Sequence, residues 1–313
     1  MKKIRIKAFA KINLSLDVIA KREDGYHEVE MVLQSISLHD ELLFMPSRVL
    51  SLETKEQRLP TDDRNLIIKT AKKLIEFSGF QDGARIILNK KIPVGAGLGG
   101  GSADAAATLV GLNRLWGLNL PLSTLERLGV SVGADVPFCL TGGTALAKGI
   151  GEILNTLPTP PSERIFLTKP PFSVSTALVY KKLSLEQEDW HPEIKSIISI
   201  IQRGELLPIT HFWGNMLEKV TLKLYPEIKE VMEWLGASGF SVRMTGSGPT
   251  LFMFIPETCG CFNEVKTRLR KIGWWTYEGS LVGKGLELRE EKGSKGGVEN
   301  GKNTIGSDQT RQL

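Results

Sequence analysis

Cysteine is scarce in this chain of 313 residues, which has only Cys139, Cys259 and Cys261. Three cysteines are too few for a disulfide framework. Cys259 and Cys261 would need further Cys or His ligands to hold a metal, and none accompanies them. The four histidines show no ligand spacing either. The sequence therefore predicts a protein without its own metal-binding cluster.

Long hydrophobic runs are also missing. No stretch approaches the roughly 18 apolar residues that a membrane-spanning helix needs. The basic start at residues 1–5 is typical of a signal peptide, but Lys11 and Asp17 interrupt the apolar segment that should follow. We therefore expect a cytoplasmic protein with no membrane partner.

The charge balance is mildly basic, with a net charge of +5 and a pI of about 9.0. This balance suits an anionic substrate, but an ordinary solvated surface with a small excess of lysine is the simpler explanation. There is no basic run with interleaved aromatic residues, so no nucleic-acid partner is expected.

Hydrophobic periodicity predicts an α+β protein. Period-2 alternation indicates strands at 4–8, 14–18 and 27–45, and another strand is predicted at 84–88. Asn65 and Gly79 bracket a predicted helix, Ser102 is expected to begin a second one, and a capping box at 123–126 predicts a third. Strands and helices mix without strict βαβ alternation.

The second half of the chain predicts a separate domain after the linker at 157–161. Strands are expected near 164–168, within 241–255 and at 274–282, with helices near 175–182, 190–202, 226–235 and 257–271. We expect domains at 1–157 and 162–283. Residues 284–313 hold little apolar pattern and are expected to be a disordered tail.

The strongest local feature is a glycine-rich loop that leads into an alanine-rich helix. Glycine permits positive φ and close approach of a ligand to the backbone. Free amides and the positive dipole at the helix start then favour an anion, above all a phosphate. The candidate phosphate-binding residues are Pro93, Gly95, Gly97, Leu98, Gly99, Gly100, Gly101 and Ser102.

Other glycine-rich motifs fit this loop less well. A P-loop requires Lys and then Ser or Thr after its last glycine, whereas Gly101 is followed directly by Ser102. The loop matches the dinucleotide-binding spacing, but Pro93 precedes it and residues 116–121 lack the required acid. Neither Ser102 nor Ser247 lies in a serine-hydrolase motif.

Two further segments carry candidate functional side chains. Lys11 and Asn13 share one face of an early strand, where they either meet solvent or line a closed polar site. In the second case Lys11 needs an anionic partner. Asp135 lies among small and apolar residues and is either a turn former or a partly buried functional carboxylate.

Together these segments resemble a known family. The run from Pro93 to Ser102 is similar to the ATP loop of the GHMP kinases, which include galactokinase, homoserine kinase, mevalonate kinase and phosphomevalonate kinase, and the turn at 245–248 resembles their third motif. Within the family, the segments 10–14, 22–27 and 133–138 most resemble kinases of the non-mevalonate isoprenoid precursor pathway. Those kinases act on a cytidine diphosphate-linked polyol, and the resemblance covers residues 3–283.

The resemblance implies a two-domain fold, with an N-terminal α/β domain like ribosomal-protein domain 2 and a ferredoxin-like C-terminal domain. It implies ATP as co-substrate with Mg²⁺, a catalytic base at Asp135 and a charge-stabilising Lys11. It places Asn65 and Asn113 at the adenosine end of ATP. On the side of the polyol and its cytosine it implies Asn13, Tyr26, His27, Thr176 and Tyr180.

Some alternatives stay open at this point. Tyr180 is also compatible with packing against the core. A different GHMP kinase is one alternative, and an activity assay with each alcohol would test it. An RNA-binding protein is another, since the N-terminal domain type also occurs in ribosome-associated proteins. Salt-sensitive RNA binding would indicate that second alternative. The sequence is compatible with a monomer or a homodimer.

Overall fold

A seven-stranded sheet and a four-stranded sheet organise the chain in the computed structural model, which describes residues 2–187, 190–255, 260 and 262–292. The path of the larger sheet is β11–β1–β2–β4–β3, with β5 paired to β2 and β6 paired to β5. Its strands are β1 (Lys2–Lys21), β2 (His27–Ser47), β3 (Ser51–Thr54), β4 (Gly83–Asn89), β5 (Thr144–Lys148), β6 (Ile153–Leu157) and β11 (Leu286–Lys292).

One continuous strand, β1, replaces the two short strands predicted at 4–8 and 14–18. It forms a long antiparallel hairpin with β2, and irregularities lie between Phe9 and Ala10, between Asn13 and Ser15, and between Val18 and Ala20. Such irregularities increase the twist of a long strand and change the direction of its side chains. All residues from Ala8 to Asp17 are buried, and β1 contacts both α2 and α7.

Four helices cover the larger sheet: α1 (Leu66–Ser78), α2 (Gly100–Trp116), α3 (Leu122–Val130) and α4 (Val136–Thr141). Asn65 caps α1 through its side chain and Gly79 ends it in the left-handed conformation, as predicted. The alanine-rich helix α2 is central, and Gly111 is needed there because a Cβ would lie 2.5 Å from the Phe44 ring.

The four-stranded sheet has the antiparallel order β10–β7–β9–β8, from strands β7 (Arg164–Lys169), β8 (Val242–Met244), β9 (Leu251–Phe254) and β10 (Trp275–Ser280). In chain order this is 4-1-3-2, the arrangement of a ferredoxin-like domain. Its helices are α5 (Thr176–Lys182), α6 (Ile194–Gln202), α7 (Met216–Leu224), α8 (Pro226–Ala237) and α9 (Phe262–Lys271), with 3₁₀ turns at Leu185–Gln187 and Leu207–His211.

The two hydrophobic cores each contain residues from both sheets. In one core, Ile12 of β1 belongs to the same cluster as Ile165 of β7 and Phe252 of β9. In the other, Leu16 of β1 joins Phe166 of β7 and Met244 of β8. The apolar surface buried by either half therefore depends on the other half.

The structure corrects three expectations about element boundaries. The predicted disordered tail is wrong for Leu286–Lys292, which pairs along β1 with Leu286 opposite Ala8, while residues 293–313 lie outside the described residues. Helix α2 begins at Gly100 rather than at Ser102. No capping box forms at 123–126, because α3 already starts at Leu122 with Pro121 as its cap.

No helix in the described ranges is long and apolar enough to cross a bilayer. The same residues contain no group of three or more His, Cys, Asp or Glu side chains that could hold a metal ion. Cys259 and Cys261 lie outside the described residues, and Cys139 is a buried free thiol.

Candidate active site

A cleft of about 560 Å³ lies where the glycine loop, β1 and the turn between β8 and β9 meet. The loop from Pro93 to Ser102 forms one wall, and Gly246 and Ser247 of that turn face it. Lys11, Asn13 and Asp135 also line the cleft. The structure thus brings together residues from segments more than 100 positions apart in the chain.

Three glycines allow the loop to approach its neighbours. Gly95, Gly97 and Gly99 have φ values of 62°, 73° and 68°, which favour glycine strongly. A Cβ on Gly97 would lie 2.5 Å from the carbonyl oxygen of Thr245, and one on Gly99 would lie 2.9 Å from Cγ of Lys11. The loop is therefore shaped by both its own backbone and the groups packed against it.

The loop is tied to both halves of the molecule. The amide of Lys11 donates to the carbonyl of Leu98 at 3.0 Å, and the hydroxyl of Thr250 donates to the carbonyl of Ala96 at 2.7 Å. The carbonyl groups are thereby turned toward the protein. The amides of Gly100, Gly101 and Ser102 lie in the first turn of α2, where no earlier carbonyl of the helix can accept from them. These free donors are suited to an anion.

Lys11 and Asp135 form an ion pair in the cleft, with Nζ 3.5 Å from Oδ2. The Lys11 side chain is only 7% exposed and that of Asp135 is 29% exposed. Nζ of Lys11 also donates to Oδ1 of Asn13 at 2.9 Å. Because a buried lysine needs such partners, the structure resolves the sequence alternative in favour of a closed polar site.

Asp135 is held at the start of the short helix α4, where its backbone carbonyl accepts from the amide of Cys139 at 3.1 Å. Its side chain makes no capping bond to α4. The carboxylate is therefore not used as a turn former and faces the cleft beside Lys11.

Asn13 is fixed from both sides. Its backbone amide donates to the hydroxyl of Thr245 at 2.9 Å, and that hydroxyl donates to Oδ1 of Asn13 at 3.2 Å. Its side-chain amide points toward the sulfur of Met31 at 3.2 Å. Asn13 therefore holds Lys11 in place and joins β1 to the turn that follows β8.

A second charged cluster, which the sequence reasoning missed, lies behind the loop. Nζ of Lys90 contacts Oδ2 of Asp40 at 2.6 Å and Oδ2 of Asp104 at 2.5 Å, and all three side chains are at most 6% exposed. Oδ1 of Asp40 accepts from the amides of Lys91 and Ile92 at 2.6 and 2.9 Å. This cluster fixes the start of α2 relative to β2 and the end of β4.

Burial raises the pKa of Asp104 well above its usual range, and the charge of Lys90 opposes this effect. Oδ1 of Asp104 is buried with no hydrogen-bond partner among the described residues. Lys90 and Asp104 both line the cleft.

The ring of Tyr180 lines the cleft, and the ring of His27 packs against it without lining the cleft itself. The rings of His27 and Tyr180 are 4.9 Å apart between centroids and inclined by 35°. Burial, and secondarily the charge of Asp135, raises the pKa of Tyr180. Burial, with a smaller effect of Lys21, lowers the pKa of His27 below 6.5. Burial thus favours the neutral form of the His27 imidazole.

The remaining predicted residues differ in where they lie. Thr176 lines the cleft and its hydroxyl is 2.8 Å from that of Ser247. Asn65 also lines the cleft, but its Oδ1 caps α1 and its Nδ2 donates to the carbonyl of Pro60 at 2.7 Å. Tyr26 is 59% exposed and does not line the cleft.

Asn113 does not reach the cleft, which corrects its predicted place at the adenosine end. It lies thirteen residues beyond Gly100 on α2, hence about 20 Å along the helix axis. Its Oδ1 accepts from the amide of Leu120 at 2.9 Å and its Nδ2 donates to the carbonyl of Leu120 at 3.0 Å. It organises the turn after α2.

Comparisons with known proteins agree with this architecture. The model of the GHMP kinases N terminal domain matches residues 65–143, and that of the GHMP kinases C terminal domain matches residues 200–258. The 4-diphosphocytidyl-2-C-methyl-D-erythritol kinase of Geobacillus kaustophilus is 49% identical over 81% of this chain and 88% of its own. The kinase of the same name from Lachnospira eligens is 45% identical, over 87% of this chain and 97% of its own.

Solved structures give the same result. A crystal structure of 4-(cytidine 5'-diphospho)-2C-methyl-D-erythritol kinase is 36% identical, with a TM-score of 0.74 over 88% of this chain and 98% of the other. Homoserine kinase from Cytophaga hutchinsonii has a TM-score of 0.73 over 91% of this chain and 97% of its own. Because its sequence is only 20% identical, this likeness shows the fold alone. The chain belongs to the GHMP kinase family, in the branch of the 4-diphosphocytidyl-2-C-methyl-D-erythritol kinases.

Proposed function

We propose that this protein is a kinase that uses ATP to phosphorylate the 2-hydroxyl of 4-diphosphocytidyl-2-C-methyl-D-erythritol, in the non-mevalonate route to isoprenoid precursors. The relatives named above carry this substrate in their names. The observation that supports the chemistry is the Lys11–Asp135 pair beside the free amides of α2. Phosphoryl transfer needs this combination of positioning and charge more than a covalent intermediate.

Asp135 acts as general base in this proposal. Its carboxylate accepts the proton of the substrate hydroxyl while that oxygen bonds to the γ-phosphorus and ADP leaves. Nζ of Lys11 lies 3.5 Å from Oδ2 of Asp135 and helps to hold that carboxylate in place. The same ammonium group offsets the negative charge that develops on the transferred phosphoryl group.

The phosphates of ATP are proposed to bind the amides of the loop and of the first turn of α2, with Asn65 near the adenosine end. Mg²⁺ would accompany ATP and neutralise phosphate charge. The residues present fit such an ion, because it takes few protein ligands besides phosphates and water, and the Ser102 hydroxyl lies at the helix start.

The cytidine end is proposed to lie against Tyr180 and His27. A flat base stacks well on an aromatic ring, and a neutral imidazole can exchange hydrogen bonds with the cytosine edge. Thr176 and Asn13 would line the polyol. Tyr26, now exposed beside His27, would cover the base only after the loop before β2 moves.

A small-molecule substrate, a cytoplasmic location and a monomeric or homodimeric state remain part of the proposal, without a nucleic-acid or membrane partner. The deciding experiment incubates the purified protein with ATP and 4-diphosphocytidyl-2-C-methyl-D-erythritol, homoserine or mevalonate in turn. ADP formation and the mass of the product are measured. We expect a phosphorylated product only with the cytidylyl substrate. Turnover of homoserine instead would overturn the proposal.

A further inference from the structure

A second groove, of about 710 Å³, lies on the C-terminal half of the molecule, outside the cleft described above. It is bounded by α7 and the start of α8, with Arg243 of β8 and the indole of Trp190 at its edges. Its size falls within the range of small-ligand pockets. Helix α7 separates it from the cleft, because Leu217 lines the cleft while Met216 and Lys219 line the groove.

Cationic side chains dominate the charge of the groove. The groove is lined by four cationic side chains and by one carboxylate, that of Glu218. The four cations are Lys219, Lys223, Lys229 and Arg243. The carboxylate of Glu218 is occupied, since it accepts from the amide of Met244 at 2.9 Å and lies 4.0 Å from Arg243. Lys229 forms an exposed ion pair with Glu233 at 3.7 Å, which is worth little. The groove therefore attracts anions.

Arg243 is positioned before any ligand arrives. Its guanidinium lies 5.9 Å from the ring centroid of Trp213, and one terminal nitrogen donates to the carbonyl of Val242 at 3.1 Å. Its Nε is buried and has no hydrogen-bond partner in the described part of the chain. A guanidinium fixed in this way at the edge of the groove suits recognition of a phosphate.

The rest of the groove is apolar. Met216, Leu222 and Pro226 line it together with Trp190, whose indole is 53% exposed. The indole packs directly on Gly214, where a Cβ would lie 1.9 Å from the ring. A ring held in this way offers a flat surface to an apolar group.

We propose that this groove is a second binding site, for a small organic phosphate or diphosphate that carries an apolar group. The anionic group pairs with Arg243, Lys223 and Lys229, and the apolar group covers Trp190. This site is independent of the phosphoryl-transfer chemistry, so the kinase assay and the binding test below can fail separately.

The test is a fluorescence titration of the full chain with phenyl phosphate. Because the chain has six tryptophans, the signal of the groove is the difference between the wild-type protein and Trp190→Phe. We expect a saturable change in this difference signal. Phenol, which lacks the phosphate, should give none, and inorganic pyrophosphate should compete with phenyl phosphate.

Variants of the groove test whether its cationic side chains bind the phosphate of phenyl phosphate. The double variant Lys223→Gln, Lys229→Gln should raise the dissociation constant about tenfold or more, since it removes two charge-assisted contacts. The matched control is Lys195→Gln, an exposed lysine of α6, and it should leave the constant unchanged. Circular dichroism checks that each variant is folded. Absence of a saturable signal, or equal affinity in the double variant, would overturn the proposal.

Discussion

At the scale of single residues, the pairing of Lys11 with Asp135 carries the proposed chemistry. Asp135→Asn keeps the shape of the side chain but removes the proton acceptor. We expect kcat to fall at least ~10²-fold, while the dissociation constant for ATP stays nearly unchanged. Steady-state kinetics and calorimetry measure the two quantities. The exposed Asp82→Asn serves as the control, and an equal loss of ATP affinity in Asp135→Asn would contradict the assigned role.

The buried cluster around Lys90 gives a prediction about stability. Lys90→Met leaves Asp40 and Asp104 without their shared cation, and an unpaired buried charge costs about 3–5 kcal/mol. Lys91→Met removes a cation 44% exposed that pairs with Glu41, so its cost should stay below about 1 kcal/mol. Urea denaturation compares the free energies of unfolding. Similar losses in both variants would show that the cluster is not structural.

His27 makes substrate binding depend on pH. Because burial lowers its pKa, the ring gains its proton at a lower pH than a free imidazole does. If the neutral ring binds cytosine, KM for the cytidylyl substrate should be constant from pH 8 to 7 and rise as the pH falls through the lowered pKa. His27→Gln should raise KM and remove this rise. A KM that decreases in acid would mean that the imidazolium binds instead.

At the scale of elements, the glycine loop was predictable because its chemistry is local. Positive φ, close approach and the free amides of α2 all follow from a glycine-rich loop that runs directly into a helix. Asn113 was misplaced because its role depends on the turn after α2, where it bonds both backbone groups of Leu120. The buried cluster was missed since Asp40, Lys90 and Asp104 meet only through sheet pairing and helix packing.

The loop predicts a difference between two glycines of similar conformation. Gly97 and Gly79 have φ values of 73° and 67°, but a Cβ meets the Thr245 carbonyl at Gly97 and nothing within 4 Å at Gly79. Alanine at either position should cost about 1–2 kcal/mol in backbone strain. Only Gly97→Ala should also weaken ATP binding, because the loop must shift. Calorimetry with an ATP analogue checks this, and unchanged affinity in Gly97→Ala would contradict it.

At the scale of the whole molecule, the two predicted domains share their cores. Strand β6 ends at Leu157 and β7 begins at Arg164, but β11 returns to the larger sheet after β10. The sequence pattern did not predict β11, since only Leu286 and Leu288 have an apolar side chain within residues 286–292. Edge strands with many charges carry a weak hydrophobic signal.

Shared cores predict one cooperative unfolding transition. Because each cluster contains residues of both sheets, neither half retains its buried surface alone. Tryptophan fluorescence and far-ultraviolet circular dichroism should therefore change together in urea. Two separated transitions would show that the halves are independent folding units.

The amides at the start of α2, beside Lys11 and Asp135, are the centre of the account. A crystal structure with a non-hydrolysable ATP analogue tests it most directly. We predict the terminal phosphate within hydrogen-bond distance of amides between Gly99 and Ser102 and of Nζ of Lys11. An analogue bound elsewhere, with this loop making no phosphate contact, would contradict it.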